Sequence, residues 1–135
     1  MRISIFMVSL FLSASVSASV KEEGPTRALD YAKSDASLIQ SLVERGSNVS
    51  KNHYVSFIID CKTEQQVNSI VEKAKLAGFE DDYVSYSERS QMWSSTLSKE
   101  LKLNVKEIAS SRAVLIPFVV LPDCNPIGWG SSVEM

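Results

Sequence analysis

Tyr54-Val55-Ser56-Phe57-Ile58-Ile59-Asp60, followed almost at once by Thr63-Glu64-Gln65-Gln66, decides the fold. The first stretch is rich in β-formers and alternates with a period of two. Val55, Phe57 and Ile59 share one face, and Tyr54, Ser56 and Ile58 share the other. The first set is wholly apolar, so it is expected to face the core. The second stretch is a capping box: the Thr63 hydroxyl can accept from the Gln66 amide while the Gln66 side chain reaches back. Val67, Ile70, Val71 and Ala74 then recur at helical spacing, and Gly78 supplies a left-handed stop. A strand therefore runs directly into a helix.

Downstream, Phe79 to Ser87 and Gln91 to Ser98 read as two strands joined by a polar turn at Glu88-Arg89-Ser90. Trp93 and Leu97 fall on one face of the second, Ser94 and Thr96 on the other. A second helix is predicted from Asn104. Asn104 and Glu107 resemble a capping box, and Val105, Ile108, Arg112, Leu115 and Val119 step at three or four. Ala113 to Leu121 is almost wholly apolar and includes Pro117. A proline inside a helix costs about 3 kcal/mol. The stretch is thus open between helix and extended chain, with a kink or an end near Leu115. Pro122 and Pro126 bracket a turn, and Ile127 to Glu134 can form a last strand entered through Gly128-Trp129-Gly130. Upstream, a short helix over about Asp35 to Arg45 has Ser34 or Asp35 as cap, Leu38, Ile39 and Leu42 or Val43 as apolar stripe, and Gly46 as stop. Ser47 to Asn52 is a turn-rich link.

After that first helix the order is strand, helix, strand, strand, helix, strand. The fold class is α+β, a ferredoxin-like (βαββαβ) two-layer sandwich with an additional N-terminal helix. In that topology the first and last strands are antiparallel neighbours. Cys61 follows the first and Cys124 precedes the last, so the topology brings the two sulfurs together.

The amino terminus bears on where the chain works. Arg2 is a short positive n-region, Ile3 to Leu12 an apolar run, and Val16-Ser17-Ala18 a small-x-small cleavage pattern. Residues 1–18 therefore read as a signal peptide, 19–27 as a flexible entry segment containing Gly24-Pro25, and 28–135 as the domain. The apolar run is roughly ten residues, whereas a spanning helix needs about 20. A membrane anchor is the alternative to cleavage. The expected location is periplasmic or secreted, with no membrane contact after cleavage. Loss of Arg2 with the leader leaves 13 basic against 16 acidic residues, a net charge of −3 in place of −2. A weakly acidic chain argues against direct nucleic-acid binding. In an oxidising compartment Cys61 and Cys124 are expected to pair, closing a loop of about 60 residues for roughly 4 kcal/mol in the chain-entropy treatment. Two separate buried thiols are the alternative.

No catalytic constellation is present. His53, the single histidine, stands at the start of a strand and reads as a surface residue. There is no G-x-S-x-G, P-loop, H-E-x-x-H or Gly-rich dinucleotide turn. Two cysteines and one histidine do not make a standard zinc site. Glu80, Asp81 and Asp82 read as a solvated turn, with a cation site as the alternative. No cofactor and no metal are expected. The aromatic residues carry more. Trp129, between Gly128 and Gly130, is either a structural corner over the sheet end or an exposed anchor. Trp93 reads as core. Tyr54, Ser56 and Ile58, on the sheet face away from the helices, together with Tyr83 and Trp129, form a candidate partner-binding set. An ordinary solvated face is the other reading.

Three stretches carry a family likeness. Asp35-x-x-Leu38-Ile39-x-x-Leu42-x-x-x-Gly46, the segment from His53 to Phe79 with its Thr63 box and Ala77-Gly78-Phe79, and the ending Gly128-Trp129-Gly130-x-x-Val133-Glu134 resemble the RraB family, the regulators of ribonuclease E activity. Trp93 also falls where that family places an aromatic at the opening of a strand. The resemblance covers roughly residues 28 to 135. It implies a ferredoxin-like fold, no catalytic residues, and action by binding another protein, in the named member an RNA-degrading enzyme that it restrains. Three functional readings follow. The first is an exported, non-catalytic protein-binding domain with a regulatory or inhibitory role. The second is a cytoplasmic regulator of ribonuclease E whose N-terminus is misassigned. The third is a small-ligand or enzymatic domain using the open sheet face and His53.

Overall fold

The computed structural model describes residues 31–120 and 122–135. The predicted leader (1–18) and predicted entry segment (19–27) lie outside the described residues. The chain divides into two units between Asp35 and Ala36. The described part of the first, residues 31–35, is helical, and helix α1 spans 31–44. It begins earlier than the predicted Asp35. Ser34 and Asp35 lie inside the helix rather than capping it, because Ala32 and Lys33 before them are good helix formers and nothing breaks the chain there.

Both predicted glycine stops close in the same way. Gly46 has φ +109° and Gly78 has φ +97°. The Gly46 amide donates to Val43 and the Ser47 amide to Leu42, while after helix α2 (Glu64–Leu76) Gly78 donates to Lys75 and Phe79 to Ala74. These paired bonds satisfy the last carbonyls of each helix, and only a residue tolerating the left-handed region fits between them. At the start of α2 the capping box forms in both directions between Thr63 and Gln66.

Strand β1 (Asn52–Cys61) pairs along its whole length with β4 (Met92–Lys102), from Asn52 opposite Lys102 to Cys61 opposite Trp93. The strand predicted over Phe79–Ser87 is two short pieces, β2 (Glu80–Asp81) and β3 (Ser85–Ser87), both antiparallel to β4. The break falls where Asp82 turns inward on itself. Its amide donates to Thr96, its carbonyl accepts from the Ser95 hydroxyl, and its carboxylate accepts from the Tyr83 amide. β4 runs four residues past the predicted Ser98, because Leu101 continues the alternation and buries. Strand β5 (Gly128–Ser131) lies against β1, giving the order β2-β4-β1-β5, with β3 also on β4. With β2 and β3 counted as one interrupted strand, this is the order that the β-α-β-β-α-β reading requires. Every pairing is antiparallel, and the protein is an α+β sandwich.

Helix α3 (Val105–Leu115) is capped by Asn104, whose side chain accepts from the Glu107 amide at 2.8 Å. The return bond of a capping box goes elsewhere: the Glu107 carboxylate accepts from the Lys102 amide. Pro117 resolves the ambiguous apolar stretch. α3 ends at Leu115, Ile116–Phe118 forms a single 3-10 turn, and Val119 is extended. Val55, Phe57 and Ile59 of β1, Leu97 and Leu101 of β4, Val67, Ile70 and Ala74 of α2, and Ile108 and Leu115 of α3 make one core between the sheet and the helices. Leu42 of α1 is buried with them, and Leu38 and Ile39 pack against it.

Candidate functional site: the open face of the sheet

The β1–β4 register decides what stands on the face turned from the core. Tyr54, Ser56, Ile58 and Asp60 lie opposite Glu100, Ser98, Thr96 and Ser94. These side chains tie to each other. Ser56 and Ser98 share a hydroxyl bond of 2.8 Å, the Ser94 hydroxyl donates to Asp60, and the Tyr54 phenol donates to Glu80 on β2. The bond to Glu80, together with that carboxylate's negative charge, holds the Tyr54 phenol above its ordinary pKa. The result is a hydroxyl-rich strip with acidic residues around it. Within it Tyr54 is 45% and Ile58 39% exposed.

On the other flank, Ser56 lies opposite Gly130 and Ile58 opposite Gly128. Neither glycine has a positive φ, and a Cβ built on either meets no atom within 4 Å. The fold does not require glycine at these positions. Their effect is to leave the surface beside Ser56 and Ile58 flat, so that another backbone can approach closely.

Of the residues singled out from sequence, Tyr54, Ser56 and Ile58 share this face. Tyr83, 77% exposed, lies in the break between β2 and β3. Trp129 lies opposite Phe57, on the core side of the sheet, and packs half-buried against the core. It does not share a surface with Tyr54, and its structural reading is the one its position supports. Trp93 is likewise half-buried against the core, with the Tyr86 ring 5.2 Å away. Sequence reading places none of Asp60, Glu80, Ser94 and Ser98 in the partner-binding set. Period two alone put Asp60 with Tyr54, but only the register shows that Ser94 and Ser98 meet it and that Glu80 is within reach.

His53 requires a correction. It is fully buried, not a surface residue. Its Nδ1 stands 2.9 Å from the Lys51 carbonyl, which can only accept, so the ring proton sits on Nδ1. In the neutral ring Nε2 accepts from the Ser47 hydroxyl at 3.0 Å, and the Ser47 oxygen accepts from the Glu134 amide. The ring ties the α1–β1 link to the C-terminal tail. It also lies on the core side of β1, so it cannot act together with the open face.

Cys61 and Cys124 are joined, with S–S 2.08 Å and Cα–Cα 4.0 Å, across a single antiparallel bridge. The Lys62 amide donates to Asp123 and the Asn125 amide to Asp60, so the crossing is held on both sides of the sulfurs. Among the described residues no group of three or more His, Cys, Asp or Glu is placed to hold a metal ion, and no helix is long and apolar enough to cross a membrane.

Residues 32–131 match the family described as regulator of ribonuclease activity B, RraB. The chain belongs to the RraB family. The match spans α1 and every strand, including the Gly128-Trp129-Gly130 ending. No curated protein matches the chain significantly. RraB membership makes the chain one of a family of regulators of ribonuclease activity, whose target is a protein.

Proposed function

We propose that this RraB-family chain is an exported, non-catalytic regulator that restrains a ribonuclease by docking through the open sheet face around Tyr54, Ser56 and Ile58. The observation that carries the docking surface is the glycine pair. Gly128 and Gly130 sit beside Ser56 and Ile58 with no internal need for glycine, which leaves room for a partner. Exposed Tyr54 and Ile58 supply the aromatic and aliphatic contacts that anchor protein interfaces. Export is supported by the leader pattern of Arg2 to Ala18 and by the Cys61–Cys124 disulfide, since such bonds persist in oxidising compartments.

A titration of the purified protein into the ribonuclease activity of the secreted or periplasmic fraction tests this. The native protein lowers RNA decay. The double variant Tyr54→Ala, Ile58→Asp loses roughly 30-fold or more in potency, about 2 kcal/mol at an interface anchor, with an unchanged circular dichroism spectrum. Equal potency of the two proteins would falsify the assignment of the face. The family description equally suits a cytoplasmic ribonuclease as target. Mass spectrometry of the cellular protein separates the two: a chain beginning near Ser19 with joined sulfurs belongs to the exported reading, and an intact leader with two free thiols to the cytoplasmic one.

A further inference from the structure

A second surface lies on the helix side of the molecule, away from the open sheet face. A groove of about 410 Å³ runs between α2 and the segment that follows the 3-10 turn. One wall is polar. Gln65, Ser69 and Lys73 recur every four residues on α2, and all three are exposed. The other wall is apolar, formed by Phe118 and by Val120, which is 57% exposed. Ile70 and Cys124 line the base.

Two features say what fits there. Among the described residues the side chains of Gln65 and Ser69 make no hydrogen bond and Lys73 makes no ion pair; the Lys73 ammonium stands 5.7 Å from the centre of the Phe118 ring. The lining contains no carboxylate, and the nearby Asp123 is already engaged by Gln66 and Lys62. The groove therefore sets an apolar wall against a polar one that carries a single cation, Lys73, which has no carboxylate partner among the described residues. It is also open along one side, whereas a small-molecule pocket encloses most of its ligand. Gln65 to Lys73 spans about 12 Å of helix, the length of about four residues of extended chain.

We infer that this groove binds an extended segment of a partner protein, about four residues long, in which an acidic side chain adjoins a large apolar one. The apolar side chain lies on Phe118 and Val120, the carboxylate meets Lys73, and the peptide backbone or a polar side chain meets Ser69 and Gln65. The disulfide is part of the site, because Cys124 pins the far wall to the end of β1. This inference does not rest on the ribonuclease reading.

Selection of a random heptapeptide phage library on the oxidised protein tests it. Sequences pairing Asp or Glu with Leu, Ile, Phe or Trp should be enriched. A fluorescein-labelled synthetic peptide of the enriched sequence should bind Lys73→Gln roughly tenfold more weakly, the loss of one charge-assisted contact, and Lys73→Arg nearly as well as the native protein. Val120→Ser should weaken it several-fold, and Tyr54→Ala, Ile58→Asp should leave it unchanged. That last variant separates failure of this site from failure of the open-face assignment. Absence of any enriched sequence, enrichment of basic sequences, or indifference to Lys73→Gln overturns the inference. So does complete displacement of the peptide by decanoate at equal concentration, which would mark a site for amphipathic carboxylates.

Discussion

The two faces of β1 divide cleanly into a sealed one and an open one. His53, Val55, Phe57, Ile59 and Cys61 alternate with Asn52, Tyr54, Ser56, Ile58 and Asp60, and every member of the first set is buried while none of the second is. The sealed face is over-determined. Phe57 meets the Phe79 ring edge-on at 6.1 Å, Cys61 is bonded to Cys124, and both ring nitrogens of His53 have partners. The open face is held only by cross-strand polar pairs, and two of its flanking positions carry no side chain at all. Folding selects the first set. The second set, where Ile58 is exposed and glycine is not needed, is surplus to folding, and the proposed docking face rests on that surplus.

Adjacent substitutions break this comparison most directly. Phe57→Ala empties a closed site and is expected to cost about 4 kcal/mol in urea unfolding. Ile58→Ala, one residue on, is expected to cost under about 1 kcal/mol, because the side chain is already partly in water. A small loss at Phe57, or a loss at Ile58 close to that at Phe57, would show that the two faces are not divided as described.

His53 sharpens the same contrast by a smaller amount. His53→Ala leaves the buried Ser47 hydroxyl without its acceptor and frees the tail that Ser47 holds through the Glu134 amide. The expected loss is about 2 kcal/mol. Carboxypeptidase digestion should become faster, because the backbone bond from Asn48 to the Glu134 carbonyl loses its neighbour. An unchanged digestion rate would show that the histidine does not hold the tail. At this residue the strand pattern and the chemistry of the side chain point in opposite directions. Period two puts His53 in line with Val55 and Phe57, so its burial was legible in the pattern. The chemistry of an isolated histidine argued for the surface, and the pattern prevailed because Ser47 and Lys51, both local, satisfy the ring. The alternation in β1, the Thr63 cap and both glycine stops were legible for the same reason: each is decided within a few residues. The break between β2 and β3 was not, since it depends on Asp82 meeting Ser95 and Thr96 across the sheet. The candidate face divides in the same way. Tyr54, Ser56 and Ile58 follow from alternation, whereas Glu80 and Ser94 join only through strand register.

Tyr54 gives the smallest effect and the most local one. Its neutral phenol donates to Glu80, and ionisation would remove that bond and set two negative groups side by side. The folded-state pKa is therefore above the unfolded value of about 10. For a group raised in this way, the stabilising contribution is fully present below the unfolded pKa and is lost as pH rises through the folded one. Stability should accordingly show no pH dependence from Tyr54 near neutrality and a decline only above about pH 10. Tyrosinate absorbance, taken as the native protein minus Tyr54→Phe, isolates this phenol from Tyr31, Tyr83 and Tyr86. Its midpoint should fall on Glu80→Ala, which removes both the acceptor and the charge. A partner seated on the open face covers the same phenol and moves the midpoint again, whereas a peptide in the Lys73 groove leaves it where it is. One titration thus reports which of the two surfaces a given ligand occupies.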